Sequence, residues 1–83
     1  MGLDVVDLVM RVEQEFGITI DDLDAAELGT VGQLHRYVLR KLDRGAGDDG
    51  VRDRLTAIIA EHAGVARDRV TDEKSFVHDF GMD

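Results

Sequence analysis

Ser75, His78 and Asp79 fall within five positions and supply a nucleophile, a base and an acid. A hydrolytic triad needs those three types, but it is defined by geometry rather than by proximity along the chain. Such groupings arise readily by chance, and the set carries no case for catalysis by itself. Two further histidines, His35 and His62, complete the imidazole inventory. None of the three sits in an HxxxH or HExxH pattern, so no zinc-type pair shares a helix face. His62 ends an apolar seam, where a half-buried structural histidine is the plainer reading than a ligand. Asp21, Asp22, Asp24 and Glu27 gather carboxylates that invite a calcium reading. An EF-hand loop requires Gly at its sixth position and Glu at its twelfth, and both are missing, so a solvated loop and helix start is expected. Gly45, Gly47 and Gly50 form a glycine-rich stretch, but no strand precedes it and no Lys-Ser/Thr follows, which excludes a phosphate loop. The chain has no cysteine, which excludes disulfides and thiolate metal sites.

The background against which these residues stand is that of one small domain. The chain has 83 residues, 43% of them apolar and 34% charged, a globular balance rather than a disordered one. Its net charge is -8, from 18 acids against 10 bases. Nucleic acid would be repelled, and no nucleic-acid partner is expected. An acidic surface fits docking on basic patches of a partner, and equally fits simple solubility. Apolar runs are only a few residues long, so no membrane span is expected. Met-Gly-Leu-Asp lacks a basic n-region and does not read as a signal peptide. Met1 and Gly2 have the look of a myristoylation start, but Val6 stands where Ser or Thr is required. A domain this small without disulfide staples suits the cytoplasm.

The strong patterns have helical period. Val5, Leu8, Val9, Val12 and Phe16 recur at three- and four-residue spacing and predict a first helix over about 3–16, with Val6 and Met10 widening its apolar face. Asp4 and Asp7 sit near its start, where the helix dipole favours acids, and Gly17 is a fitting stop. Residues 18–30 read as a loop anchored by Ile18 and Ile20. Within it, Asp24 caps a short helical turn that reaches Leu28 and ends at Gly29. Thr30 caps a further helix over about 31–42, with Val31, Leu34, Val38 and Leu42 as its stripe and Arg36, Arg40 and Lys41 toward its C-terminal end. Residues 43–50 are a linker with three glycines and nothing apolar larger than Ala, able to span up to roughly 27 Å. Asp49 caps a last helix over about 51–62, seamed by Val51, Leu55, Ile58, Ile59 and His62 and ended by Ala63-Gly64. Residues 65–83 form a long loop with five apolar anchors, Val65, Val70, Phe76, Val77 and Phe80. A loop of that length needs such pins to belong to a compact domain. Three main helices, one short helix and an anchored loop predict an all-α, four-helix bundle.

Two segments are similar to a known family. Gly2-Leu3-Asp4-Val5-Val6-Asp7-Leu8-Val9-Met10-Arg11-Val12-Glu13-Gln14-Glu15-Phe16-Gly17-Ile18 resembles the second helix of acyl carrier proteins, which reads Ser-Leu-Asp-x-Val-Glu-Leu-Val-Met-x-Leu-Glu-Glu-Glu-Phe. The likeness continues through Ile20-Asp21-Asp22, Asp24-Ala25 and Thr30-Val31 to Leu42, which covers the family's second to fourth helices. Arg54-Leu55, Ile58-Ile59 and Gly64-Val65 resemble the family's first helix and its end. Val70-Thr71 and Ser75-Phe76-Val77-x-Asp79-Phe80-Gly81-x-Asp83 are similar to the long loop before the modified serine, with Phe80 in place of the usual Leu. The two halves stand in reversed order. Joining Asp83 to Leu3 through one residue would restore Gly-Met-Asp-Ser-Leu-Asp, the family's attachment motif.

The resemblance implies an acyl-carrier-like bundle in circularly permuted order: 1–42 as the equivalent of carrier helices II–IV, 43–50 as linker, and 51–83 as helix I with its loop. It implies a carrier and not an enzyme. The family bears acyl groups on a 4′-phosphopantetheine arm in fatty acid or polyketide biosynthesis. The residues flanking that arm are Asp83, Gly2 and Leu3. Gly2 occupies the serine position and has no hydroxyl, so no covalently bound arm is expected at the usual site. Asp4, Asp7, Glu13 and Glu15, with Asp83, are implied as the acidic face that docks on basic patches of biosynthetic enzymes and of a phosphopantetheinyl transferase. Gln14 replaces a usual acid there. Val5, Val6, Val9, Met10, Ile58 and Ile59 correspond to a cleft for a tethered chain, against core packing as the plain reading. A helical interaction module remains the alternative, as a monomer or as a homodimer that swaps halves across 43–50.

Overall fold

The spacing of Val5, Leu8, Val9 and Val12 folds as expected into helix α1, Leu3–Phe16, in a computed structural model that describes residues 3–45 and 47–82, Leu3 through its backbone. Gly17 follows with φ 65°, a left-handed conformation that ends the helix. A short helix α2, Asp22–Ala25, starts two residues before Asp24, with Asp21 as its N-cap residue. Asp24 is therefore not the cap: its carboxylate accepts the Tyr37 hydroxyl at 2.8 Å. Helix α3, Val31–Lys41, begins at Thr30 with a capping box in which Thr30 Oγ1 accepts from Gln33 N and Gln33 Oε1 accepts from Thr30 N. Helix α4, Asp49–Ala63, starts earlier than its apolar seam, because the Asp48 carboxylate, not Asp49, accepts from Val51 N at 3.1 Å. The linker is shortened accordingly. Gly64, at φ 71°, closes α4.

The last loop carries one 3-10 turn, Arg67–Arg69. No strand forms among the described residues; a single bridge pairs Thr30 with Ser75. The loop lies over the start of α3. Val31 N donates to Lys74 O, Gly32 N to Asp72 O and Phe76 N to Gly29 O, at 2.9–3.0 Å. The first amides of a helix have no partner within it, and here the loop's carbonyls supply two.

The core is made from pairs one helical turn apart. Leu8 and Val12 of α1, Leu34 and Val38 of α3, and Leu55 and Ile59 of α4 meet Phe76 of the loop, all fully enclosed. α1 and α4 run antiparallel, since Asp4 at the start of α1 meets His62 at the end of α4 and Glu15 faces Arg54. Of the five anchors expected in the loop, Val70 and Phe76 are buried and Val65 and Phe80 pack partly against the core. Val77 is half exposed and anchors nothing. Its place is taken by Met82, 3% exposed, which enters the core after the tight turn at Gly81.

Candidate functional site

The start of α1 is the region on which the sequence expectations converge. Gly2 and Asp83 lie outside the described residues, as does the side chain of Leu3. Asp4 and Asp7 are exposed on the first two turns of α1, with Asp4 in the first turn near the positive end of the helix dipole. The turn is fixed by a neighbour. His62 Nε2 lies 3.1 Å from the carbonyl oxygen of Asp4, and a carbonyl can only accept, so Nε2 carries the proton. His62 thus pins the end of α4 to the start of α1, the structural role its half-buried position implied.

Further along the outward side, the four acids part company. Glu13 is half buried and its Oε2 accepts from Ile20 N at 2.9 Å, so this carboxylate holds the turn after α1. Glu15 is exposed and stands 4.0 Å from Arg54 Nε on α4. Arg11 reaches Glu61 through both guanidinium Nη atoms at 3.0 and 2.9 Å, a third tie from α1 to α4. That pairing holds the Glu61 carboxyl below its ordinary range, through the hydrogen bond first and the charge second. Only Asp4 and Asp7 are thereby left with no intramolecular partner for their carboxylates among the described residues.

The hydrophobic residues expected to line a cleft also separate. Val5, Val9, Ile58 and Ile59 are buried in the common core, Val6 is partly covered, and Met10 is half exposed on the same outward side as Asp7. Core packing describes the first four.

The chemical groupings weighed in the sequence resolve into local structure. Ser75 N donates to Asp79 Oδ2 at 2.7 Å, and His78 N donates to Ser75 Oγ at 3.1 Å. These are turn contacts to backbone amides, with no imidazole-to-hydroxyl bond, so the three residues make no triad. Among the described residues no group of His, Asp and Glu is arranged to hold a metal ion.

Residues 3–38 match the phosphopantetheine attachment site family. The matched stretch begins one residue after Gly2 and runs from α1 into α3. Forty-one residues are 50% identical to the acyl carrier protein of Thermotoga maritima, covering 49% of this chain and 51% of that protein. The chain thus spans about half the length of this curated relative. No solved structure matches. Acyl carrier proteins are carriers and not enzymes, and the family to which α1 is similar holds 4′-phosphopantetheine. The all-helical arrangement around α1 agrees with a carrier-like fold. No described helix is long and apolar enough to cross a membrane.

Two participants escaped the sequence reading. His35, 5% exposed, is buried on α3 with its ring between elements. Tyr37 is buried beside Asp24, and burial first and the Asp24 hydrogen bond second push its phenol up to about 12. Both lie beside the apolar stripe of the helix. A polar residue at such a position is the available signal for His35, while the Tyr37–Asp24 bond joins residues of two different helices and leaves no periodic trace.

Proposed function

We propose that the chain is an acyl-carrier-like domain whose halves stand in reversed order and which lacks the hydroxyl needed to hold the arm at the usual position. Residues 1–42 are read as the equivalent of carrier helices II–IV, 43–50 as the bridge, and 51–83 as helix I and its loop. The observation that carries this reading is the match of residues 3–38 to the phosphopantetheine attachment site family; Gly2, just before it, is read as standing at the serine position. The packing supports the second half. α4 runs antiparallel to α1, and the loop that follows α4 docks on the start of α3. A linker then need only connect the end of α3 to the start of α4, which permits a changed order.

The residues present do not fit phosphopantetheine. A phosphodiester to the arm requires a hydroxyl at the head of α1, where this sequence has Gly2, then Leu3 and the Asp4 carboxylate. Ser75, the one serine of these 83 residues, has its Oγ in the loop turn with His78 N. The function inferred is therefore recognition without carriage. Asp4 and Asp7, whose carboxylates have no partner among the described residues, are read as the contacts to basic patches of carrier-dependent enzymes, with exposed Glu15 adding charge near the other end of α1, and such charges raise encounter rates. Glu13 contributes less, because its carboxylate is committed to Ile20 N.

Incubation with coenzyme A and a phosphopantetheinyl transferase, followed by intact mass measurement, tests this. The chain as it stands should gain no mass, and Gly2→Ser should gain one arm. A mass gain by the unaltered chain would overturn the inference about Gly2. Silence of Gly2→Ser would favour a helical interaction module unrelated to carriage.

A further inference from the structure

We propose that His35, Arg52 and Asp72 form an acid-sensitive latch that holds residues 71–75 against the start of α3 and releases them when His35 takes up a proton. The latch is independent of the carrier reading.

Three elements meet at the latch. His35 is on α3 and is buried, the one buried imidazole among the described residues. Arg52 of α4 places Nη2 3.2 Å from His35 Nδ1, and both of its Nη atoms lie 3.3 Å from the Asp72 carboxylate oxygens. Asp72 in turn accepts Gly32 N through its backbone carbonyl at 2.9 Å, and Lys74 O accepts Val31 N at 3.0 Å. Residues 71–75 therefore bridge two buried anchors, Val70 and Phe76, and are held between them by the Arg52 pair and those two backbone bonds.

The proton inventory makes the arrangement conditional. Arginine is always charged and only donates, so His35 Nδ1 must accept and the ring proton sits on Nε2. His35 Nε2 is buried with no partner, so the site already leaves one polar atom unsatisfied. A second proton would put an Nδ1–H against the Arg52 N–H, turning a hydrogen bond into a like-charge contact. The charged groups facing His35 are Arg52 from α4, Asp72 from the loop and Arg36 from its own helix. Asp72 opposes the two cations but is already shared with Arg52. Burial first, and Arg52 second, hold the imidazole below its ordinary value. The closed form thus excludes the proton, whereas a form with 71–75 lifted admits it. Opening becomes easier as pH falls below the ordinary histidine value near 6.5 and is indifferent to pH above it. α3 and α4 stay joined meanwhile through Leu34, Val38, Leu55 and Ile59.

Amide hydrogen exchange on the isotopically labelled full chain reads the latch directly. The amides of Val31 and Gly32 should exchange faster than those of Leu55 and Ile59, by an opening insensitive to low denaturant. Their protection should fall between pH 7 and pH 5 by up to roughly 25-fold, the limit for a group near 6.5 that is excluded only when closed. His35→Phe should remove that fall. Arg52→Gln, which keeps a donor but deletes the cation, should reduce it and serves if the first variant does not fold. Exchange of Val31 and Gly32 only through unfolding of the whole domain would overturn the latch. So would an undiminished pH dependence in either variant.

Discussion

The loop after α4, residues 65–82, and the connection between α3 and α4, residues 42–48, are built on opposite principles. Residues 65–82 contribute Phe76, Val70 and Met82 to the core and lend carbonyls to the first amides of α3. Beyond Leu42, which packs partly against the core, the described residues of the connection between α3 and α4 make local ties. Arg44 N returns to Leu39 O, Asp48 N bonds Gly45 O, and Arg44 pairs with Asp48 across an exposed surface. Asp43 adopts φ 55°, a conformation that costs little in a turn where a short polar side chain is tolerated. The loop is thus part of the folded interior, and the connection is a spacer. Length does not decide which is which. The placement of apolar residues does, because each buried side chain repays the entropy of ordering the chain around it.

That contrast breaks most visibly at Phe76. Phe76→Ala removes the loop's one fully enclosed side chain and should cost about 3–5 kcal/mol, measured by urea unfolding. A change below 1 kcal/mol would mean the loop is as dispensable as the spacer. Gly32→Ala should act next. A Cβ there would lie 3.1 Å from both the Cβ and the carbonyl oxygen of Asp72, so the gain in helix propensity is outweighed as the loop is pushed off. A net loss of about 1–2 kcal/mol is expected, with faster exchange at Val31. The smallest effect belongs to the spacer. Six Gly/Ser residues inserted after Gly47 should lower stability by only about 0.6 kcal/mol, the cost of doubling a flexible loop. A much larger loss would show that the spacer is itself structural.

The sequence made the helical faces readable because each main helix repeats a buried pair at four-residue spacing, and Thr30, Gly17 and Gly64 carry side chains or backbone freedom suited to helix ends. What it concealed depends on contacts between distant segments. Met82 follows a glycine turn and belongs to no periodic pattern, so its burial is invisible, while Val77 looked like an anchor by residue type alone. Asp48 rather than Asp49 caps α4 because the choice depends on which carboxylate faces Val51 N, a matter of one dihedral. Glu13 reads as one more acid on a charged helix until the chain turns back and offers it the Ile20 amide. At the candidate site, Asp4 and Asp7 were legible from their place at a helix start. The pinning of that start by His62 needed the antiparallel approach of α4. His35 shows the same limit: its partners come from α4 and from the loop, far away along the chain.

We propose that the two halves are one carrier bundle written in another order. The most direct test is a chain with residues 48–83 placed first, a single serine after Asp83, and residues 3–42 following. Such a chain should be a helical monomer with the core pairs of α1, α3 and α4 intact, which a phosphopantetheinyl transferase converts completely to the arm-bearing form. A rearranged chain that stays unfolded, or that folds and is never modified, would contradict it.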